Sequence, residues 1–553
     1  MQLERINTLF TGLAQAYVKR EATLASLFPY DHRSLESYWR HSKWLDEYSS
    51  LPRQALSNIL VQEQRRLATL TQSDQENKTI EAAKKLGQDN SLVVVTGQQA
   101  GLFTGPHLTL LKAFTAIAKA RQLSIFLDRP VIPLFWIASE DHDVEEVSKA
   151  SVAIGEQVHT LSIPVGEEKK PIAHTKLPED WEQIVKIFTS YLPNNEKGRQ
   201  WKCFLEQLTE KTNTLNEAFA LILYRITAPY GLVLFDPMNK AIKELPATKS
   251  FFTQLIKDQK PLSEAFHQGC EKIRALGYEP QVQKSRNQLF LFYHDQDERK
   301  VLIREEEDRC NNNNKDFYRL RGTDRTFTTD DLIARANKEP HLFSSNVISR
   351  PLWQDRLLPT IAYVAGPSEI AYFASYGEIY RALNQPMPPI FPRFSVTFIE
   401  SHINKILHRY DSTFFDFRNN FDEMMIKALK EQDTLSIHSL FATLREDITE
   451  AYGKVHEPIL DWDIKIGALT KENLERVLGQ IDYLEKKVQQ RHRQNCQELK
   501  SHFAKLKSHL LPDNRPQERM LTSLPYLIKY ENLLDKLLEL PLDAVDSHVL
   551  ITL

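Results

Sequence analysis

The sequence predicts an α/β fold: a doubly wound parallel sheet core with inserted connecting segments, followed by a C-terminal antiparallel α-helical coiled coil. Three observations carry that expectation. Short unbroken apolar runs, such as Leu92-Val-Val-Val95 and Val131-Ile-Pro-Leu-Phe-Trp-Ile137, read as strands buried on both faces. Two strand-like runs lead, one of them through a glycine-rich turn, to a Gly-Pro pair that opens an apolar-faced helix, at Gly105-Pro106 and Gly366-Pro367. Beyond residue 410 the apolar positions fall into alternating three- and four-residue steps, the rhythm of a coiled coil.

Residues 1–90 read as mostly helical, with Leu9, Leu13, Ala16 and Tyr17 on one face and further periodic stretches at 56–70 and 80–86. They supply a cover for the sheet. The first strand, 91–97, runs into a turn holding Gly97, Gly101 and Gly105, three glycines in nine residues. These let the backbone approach a ligand closely. Leu110, Phe114 and Ile117 then mark a helix whose start, Thr104 to Pro106, presents free N–H groups suited to phosphate or carboxylate. The second strand, 131–138, leads directly into Glu140-Asp141-His142-Asp143. A right-handed crossover places the glycine turn and this tetrad at one edge, outside the carboxyl ends of the strands, where open α/β sheets bind ligands.

Between 150 and 340 the pattern is mixed and reads as inserts, at about 150–230 and 240–340. Residues 231–235 form another buried-type strand ending at Asp236, which the pattern places near the same edge or as a cap of its own turn. Residues 289–293 and 300–304 suggest an antiparallel hairpin, and 305–316, with four consecutive Asn, a solvated loop. The next block brings Asn346, Arg350, Gln354 and Asp355 together. Arg350 suits bidentate binding of carboxylate or phosphate, or an ion pair with Asp355. Glu369, in the first turn of the second Gly-Pro helix, suits an ammonium group or complements the helix dipole. Four prolines between 386 and 393 make a stiff connector. Two helices joined near Pro458 form the arm, and at 1.5 Å per residue a helix from 470 to 510 extends about 60 Å. The boundaries expected are 1–90, 91–400, 401–511 and a segment 512–553 returning to the core.

Composition narrows the function. A chain of 553 residues needs more than one core, and a net charge of −3 lacks the basic excess of a general nucleic-acid binder. The four cysteines are far apart, which disfavours a disulfide framework and suits a reducing cytoplasm. No apolar run reaches the roughly 20 residues of a membrane span. The phosphate-loop motif GxxxxGK[ST] and the dinucleotide fingerprint GxGxxG are missing, and no Ser/His/Asp or Cys/His arrangement is evident. What remains is anion-seeking turns, a helix-borne Lys112, and carboxylates with a histidine. His142, oriented by Asp141 or Asp143, is the candidate general base, with a core histidine as the plain alternative. Mg²⁺ or Zn²⁺ at the tetrad is secondary, because consecutive residues seldom all face one ion, and nothing calls for a redox cofactor.

A run of motifs then resembles one family. These are Thr96-Gly-Gln98-Gln99-Ala-Gly-Leu-Phe-Thr-Gly-Pro106 with Lys112, Phe135 to Asp143, Asn346 to Pro351 with Gln354-Asp355, Leu358 to Glu369 including Tyr363 and Gly366, Pro392-Arg393, and the late coiled coil. Together they are similar to the cysteine-adding enzyme family of bacillithiol biosynthesis over essentially the whole chain. The resemblance implies a Rossmann-like core, a coiled coil used for homodimerisation, and a ligase joining the carboxylate of cysteine to the amine of glucosaminyl-malate. Because amide formation from a free carboxylate is uphill, it implies activation by ATP or another nucleotide, with Mg²⁺ as a companion. Gln98, Gln99, Asn346, Gln354, Asp355, Tyr363, Gly366 and Arg393 become substrate- or nucleotide-binding candidates on that basis. The alternatives are a nucleotidyltransferase-like or metal-dependent enzyme acting on another small substrate, or a coiled-coil scaffold.

Overall fold

The computed structural model describes residues 2–48, 51–72, 78–164, 166, 169–305, 317–432 and 436–553. The asparagine-rich loop expected at 305–316 lies outside them apart from its first residue. At the centre is a five-stranded sheet in the order Ile390–Pro392, Thr360–Ala365, Leu92–Gln98, Val131–Ile137, Val233–Phe235, with every neighbouring pair parallel. The continuous apolar runs follow from this position: successive side chains leave opposite faces of a strand, and each face meets its own hydrophobic core. From Leu92–Gln98 the chain builds outward through Val131–Ile137 to Val233–Phe235, then crosses back to lay Thr360–Ala365 on the other side. The strand order therefore reverses between Leu92–Gln98 and Thr360–Ala365, and a crevice opens there beyond their carboxyl ends.

The second insert is larger than its hairpin suggests. Gln288–Asp295 and Glu298–Glu305 belong to a five-stranded antiparallel sheet with Phe317–Leu320, Thr326–Thr328 and Phe343–Ser345. A third sheet joins Gln2–Asn7 to Ser547–Thr552 and Ser547–Thr552 to Val396–Ile399. The opening strand breaks the helical pattern expected of the first 90 residues. Its partner lies at the far end of the chain and most of its residues are exposed, so no local alternation marks it.

The arm consists of Ile437–Trp462 and Ile464–Leu510. The joint falls at Asp463 rather than near Pro458, which lies inside the first helix. Proline removes one N–H from a helix whose surface here faces water, and a hydrated carbonyl tolerates the loss. Asp463 makes the actual break: its backbone is extended and its carboxylate accepts from the Lys465 and Ile466 N–H groups at 2.8 and 3.2 Å. Among the described residues, no helix is long and apolar enough to cross a membrane.

The C-terminal segment is bound to the core by a buried ion pair. Arg393 donates to both Glu518 oxygens, at 3.0 and 2.7 Å, and the Val396 N–H and Ser395 hydroxyl add bonds of 3.0 Å each. Burial alone would raise the Glu518 carboxyl, but the Arg393 guanidinium outweighs it and holds the group at about 2, against an ordinary value of 4.5. A carboxylate depressed by folding contributes stability that is fully present above the ordinary value and lost as pH falls to the depressed one. Glu518→Gln is therefore expected to flatten the acid-unfolding curve between pH 4.5 and 2, read by far-UV circular dichroism. An unchanged slope there would contradict it.

Candidate functional site

Above the strand reversal lies one cavity of about 570 Å³, a volume suited to a small organic ligand. Lys112, His142 and Glu369 all line it, with Gly97, Gln98, Gln99, Glu140, Asp141, Asn346, Arg350, Tyr363, Gly366 and Arg393. Lys112 on the first Gly-Pro helix, the second Gly-Pro opening and Glu140 to His142 of the acidic–histidine run therefore share one mouth. Gly101, Thr104, Gly105, Asp143, Asp236, Gln354 and Asp355 lie outside its lining.

The glycine turn is tight for reasons of its own. A Cβ at Gly97 would sit 2.7 Å from the Trp136 carbonyl oxygen, and one at Gly101 would sit 2.8 Å from Gly105 Cα. Gly105 also has φ +66°, the left-handed region that other residues enter at a cost. These glycines serve the approach of chain to chain. The helix start they lead to departs from expectation. The helix runs His107–Leu127, and the His107 N–H donates to Leu521 O at 2.9 Å while the Thr522 hydroxyl bonds Phe103 O at 3.0 Å. The returning C-terminal segment thus occupies the N–H expected to face a ligand.

Lys112 is consumed internally. Its ammonium donates to Gly97 O (2.8 Å) and Gln98 Oε1 (2.9 Å) and pairs with Glu369. Burial lowers its pKa. Glu369 also accepts from the Tyr363 hydroxyl (2.7 Å) and the Gly366 N–H (2.6 Å). Burial would raise this carboxyl, but Lys112 reverses that and keeps it ionised. The ammonium that Glu369 holds is thus one of the protein's own, and the pair ties the two Gly-Pro openings together.

In the tetrad each member has a different fate. Glu140 is buried against Lys243, with its second oxygen accepting from the Ser345 N–H at 3.1 Å. Asp141 accepts from Gln99 Nε2 and the His142 N–H, both at 2.7 Å. Burial would raise its pKa, yet His142, Arg299 and Gln99 together hold it far below the usual carboxylate range, so it stays charged and is a poor proton acceptor. The His142 ring is partly exposed, and its Nδ1 lies 3.2 Å from Arg299 Nη1 and 3.5 Å from Asp141 Oδ1. Asp143 is exposed and caps a short helix through the Glu146 N–H.

Arg350 differs from the other buried cations. Its Nη1 donates to Gln354 Oε1 at 2.9 Å, and Gln354 Nε2 in turn donates to Asp355 at 3.0 Å. The glutamine therefore stands where a direct Arg350–Asp355 ion pair was one expectation. Burial raises Asp355 to about 6. The guanidinium lies over the Tyr363 ring, 4.9 Å from its centroid, and its buried Nη2 has no hydrogen-bond partner. The nearby Tyr372 hydroxyl favours the charged form of this guanidinium. Asn346 accepts from the Ile348 and Ser349 N–H groups, both at 2.9 Å, and starts the helix that carries Arg350. Asp236 is half-buried and bonded to Asn216 (2.8 Å) and the Met238 N–H (2.9 Å), so it closes its own turn.

Comparison with known proteins decides the family. The description "Bacillithiol biosynthesis BshC, N-terminal Rossmann-like domain" matches residues 1–394, and "C-terminal coiled-coil domain" of the same family matches 396–553. The chain belongs to the bacillithiol biosynthesis BshC family. A protein of Heliobacterium modesticaldum is 43% identical over all of both chains. Relatives from Symbiobacterium thermophilum (32%, 99% of each chain) and Carboxydothermus hydrogenoformans (30%, 100% of this chain and 99% of that one) follow. All three are named "Putative cysteine ligase BshC". The chain is thus an enzyme of the ligase class with a Rossmann-like core and a coiled-coil domain.

Several groups at the site had no signal in the sequence. Arg299 comes from the second insert, held by Ser344 Oγ (3.1 Å) and stacked 4.0 Å from the Phe292 centroid. Lys284 and Arg519 line the cavity from the second insert and the C-terminal segment. Lys243 follows the Asp236 turn and carries no motif. None of them sits in a motif, and only the fold brings them to the site.

Proposed function

We propose that this chain catalyses the last step of bacillithiol biosynthesis, joining the carboxylate of L-cysteine to the amine of glucosaminyl-malate. The family and the ligase name of its relatives support this, and one observation carries it furthest: Arg350 lines the cavity that His142 also lines, and its buried Nη2 lacks a hydrogen-bond partner. A buried donor without a partner costs about 1–3 kcal/mol until an acceptor fills it, and a carboxylate or phosphoryl oxygen is the natural acceptor. A nucleotide such as ATP, with Mg²⁺ as its companion, would supply the phosphoryl or adenylyl group that makes the carboxylate oxygen a leaving group. Lys284 and Arg519 stand where such an anion would be met.

The amine must arrive without its extra proton. His142 takes that proton on Nε2 in the tautomer whose Nδ1–H points to Asp141, which stays ionised and steadies the imidazolium. Arg299 favours the opposite tautomer, so its distance from Nδ1 sets how readily the base form is reached. The C–N bond forms as the phosphate-type leaving group departs with the carboxylate oxygen. Homodimerisation through the arm belongs to the same reading, since Leu440, Val455, Trp462 and Ile464 are exposed there; sedimentation of the full chain reads its mass.

The test is purified protein supplied with cysteine, glucosaminyl-malate and ATP, with bacillithiol followed by mass spectrometry. No product under any nucleotide would overturn the reading. Arg350→Ala is expected to raise KM for cysteine about 10- to 100-fold, the worth of one charge-assisted hydrogen bond. An unchanged KM would remove Arg350 from the substrate.

A further inference from the structure

We infer that Glu400, His402 and His509 form a binding site for a divalent transition-metal ion, of which Zn²⁺ is the natural occupant, at the root of the coiled-coil arm. One ligand atom from each of the three lies within 4.8 Å of the others. Glu400 and His402 flank the start of the helix Ser401–Arg409, directly after the strand Val396–Ile399, and His509 stands in the last turn of Ile464–Leu510. The cluster is separate from the cavity above the sheet.

The second observation is His509 itself. It is 4% exposed, yet neither ring nitrogen has a hydrogen-bond partner. Its Nδ1 is 3.3 Å from Glu400 Oε2 without the geometry of a hydrogen bond. Buried imidazoles ordinarily bond at least once, so this one is short of a partner and aimed at a carboxylate. The exposed His402 ring stands edge-on at 5.2 Å between centroids and opens the cluster to solvent. Two imidazoles and one carboxylate form the three-ligand set that suits Zn²⁺ and its neighbours, with a further position for water. Lys529 and the Tyr530 hydroxyl (2.9 Å) bond the other oxygen, Glu400 Oε1. Lys529 and Lys505 add positive charge nearby, but the Lys529 side chain is half exposed and free to turn to water when an ion enters.

The consequence is mechanical: an ion there would fasten the last turn of the long helix to the edge of the third sheet. Dialysed full-length protein is titrated with Co²⁺, followed by visible absorption and calorimetry, and with Zn²⁺, followed by thermal unfolding. One ion per chain is expected, with affinity at least tenfold weaker in His402→Ala and in His509→Gln, and a Zn²⁺-dependent rise in Tm confined to the unmodified chain. His402 is exposed, so its variant keeps the fold, which circular dichroism verifies. Equal binding by the unmodified chain and both variants, or no binding at all, would overturn the assignment.

Discussion

Replacing His142 with alanine is expected to lower turnover about 10²- to 10⁴-fold, the range that a positioned proton acceptor contributes, with little change in KM or in stability. The reasoning is geometric. The ring is partly exposed, sits in the cavity wall, and touches the fold mainly through Arg299 and Asp141, so its loss leaves the core intact. Asp141→Asn should share part of the effect by a different route. An amide keeps the shape but no longer holds the imidazole in the tautomer with Nε2 bare, and it leaves Arg299 facing a neutral group. Stopped assays of bacillithiol formation decide between roles: loss of turnover at constant KM supports proton transfer, while full turnover in His142→Ala would end that assignment.

Breaking the Lys243–Glu140 pair is expected to be the most damaging change to stability. Both side chains are nearly inaccessible, at 1% and 5%. Lys243 also donates to Phe343 O at 2.9 Å and lies 4.6 Å from the Trp353 ring centroid. Burial lowers the Lys243 pKa, and Glu140 works against that shift. Lys243→Met leaves Glu140 charged, buried and short of its cation, a situation that costs about 3–5 kcal/mol. The second change, Glu140→Gln on top of Lys243→Met, should return a good part of it, because two neutral groups carry no uncompensated charge. Denaturant unfolding of the single and double variants reads the difference. A single variant as stable as the parent would show that the pair is not what anchors Phe343–Ser345 to the core sheet.

The legible part of the site was the part written in consecutive residues. The valine run, the glycine turn, the tetrad after the second strand and the two Gly-Pro openings each form a local pattern. Parallel-sheet geometry then brings them to one edge without further information. Roles within that edge were not legible. Glu140 and His142 are two residues apart and both line the cavity, yet one is locked against Lys243 and the other keeps a partly exposed ring. Lys112 looked like a ligand-binding cation and is spent on Gly97, Gln98 and Glu369. In each case the answer depends on a partner from a distant part of the chain.

By itself the sequence determined the class of fold, the order of the parallel strands' building blocks, the presence of a long helical arm and most of the residues that crowd the sheet edge. These follow from periodicity, glycine sterics and burial of apolar runs, all of which act over a few residues. Only the tertiary structure decided that the arm turns at Asp463, that Leu521 covers a helix start, that Arg299 backs His142, and that Arg350 keeps a guanidinium nitrogen without a partner. Those outcomes rest on burial and charge pairing between segments far apart in the chain, where a cation is either neutralised by a neighbour or left to meet a ligand.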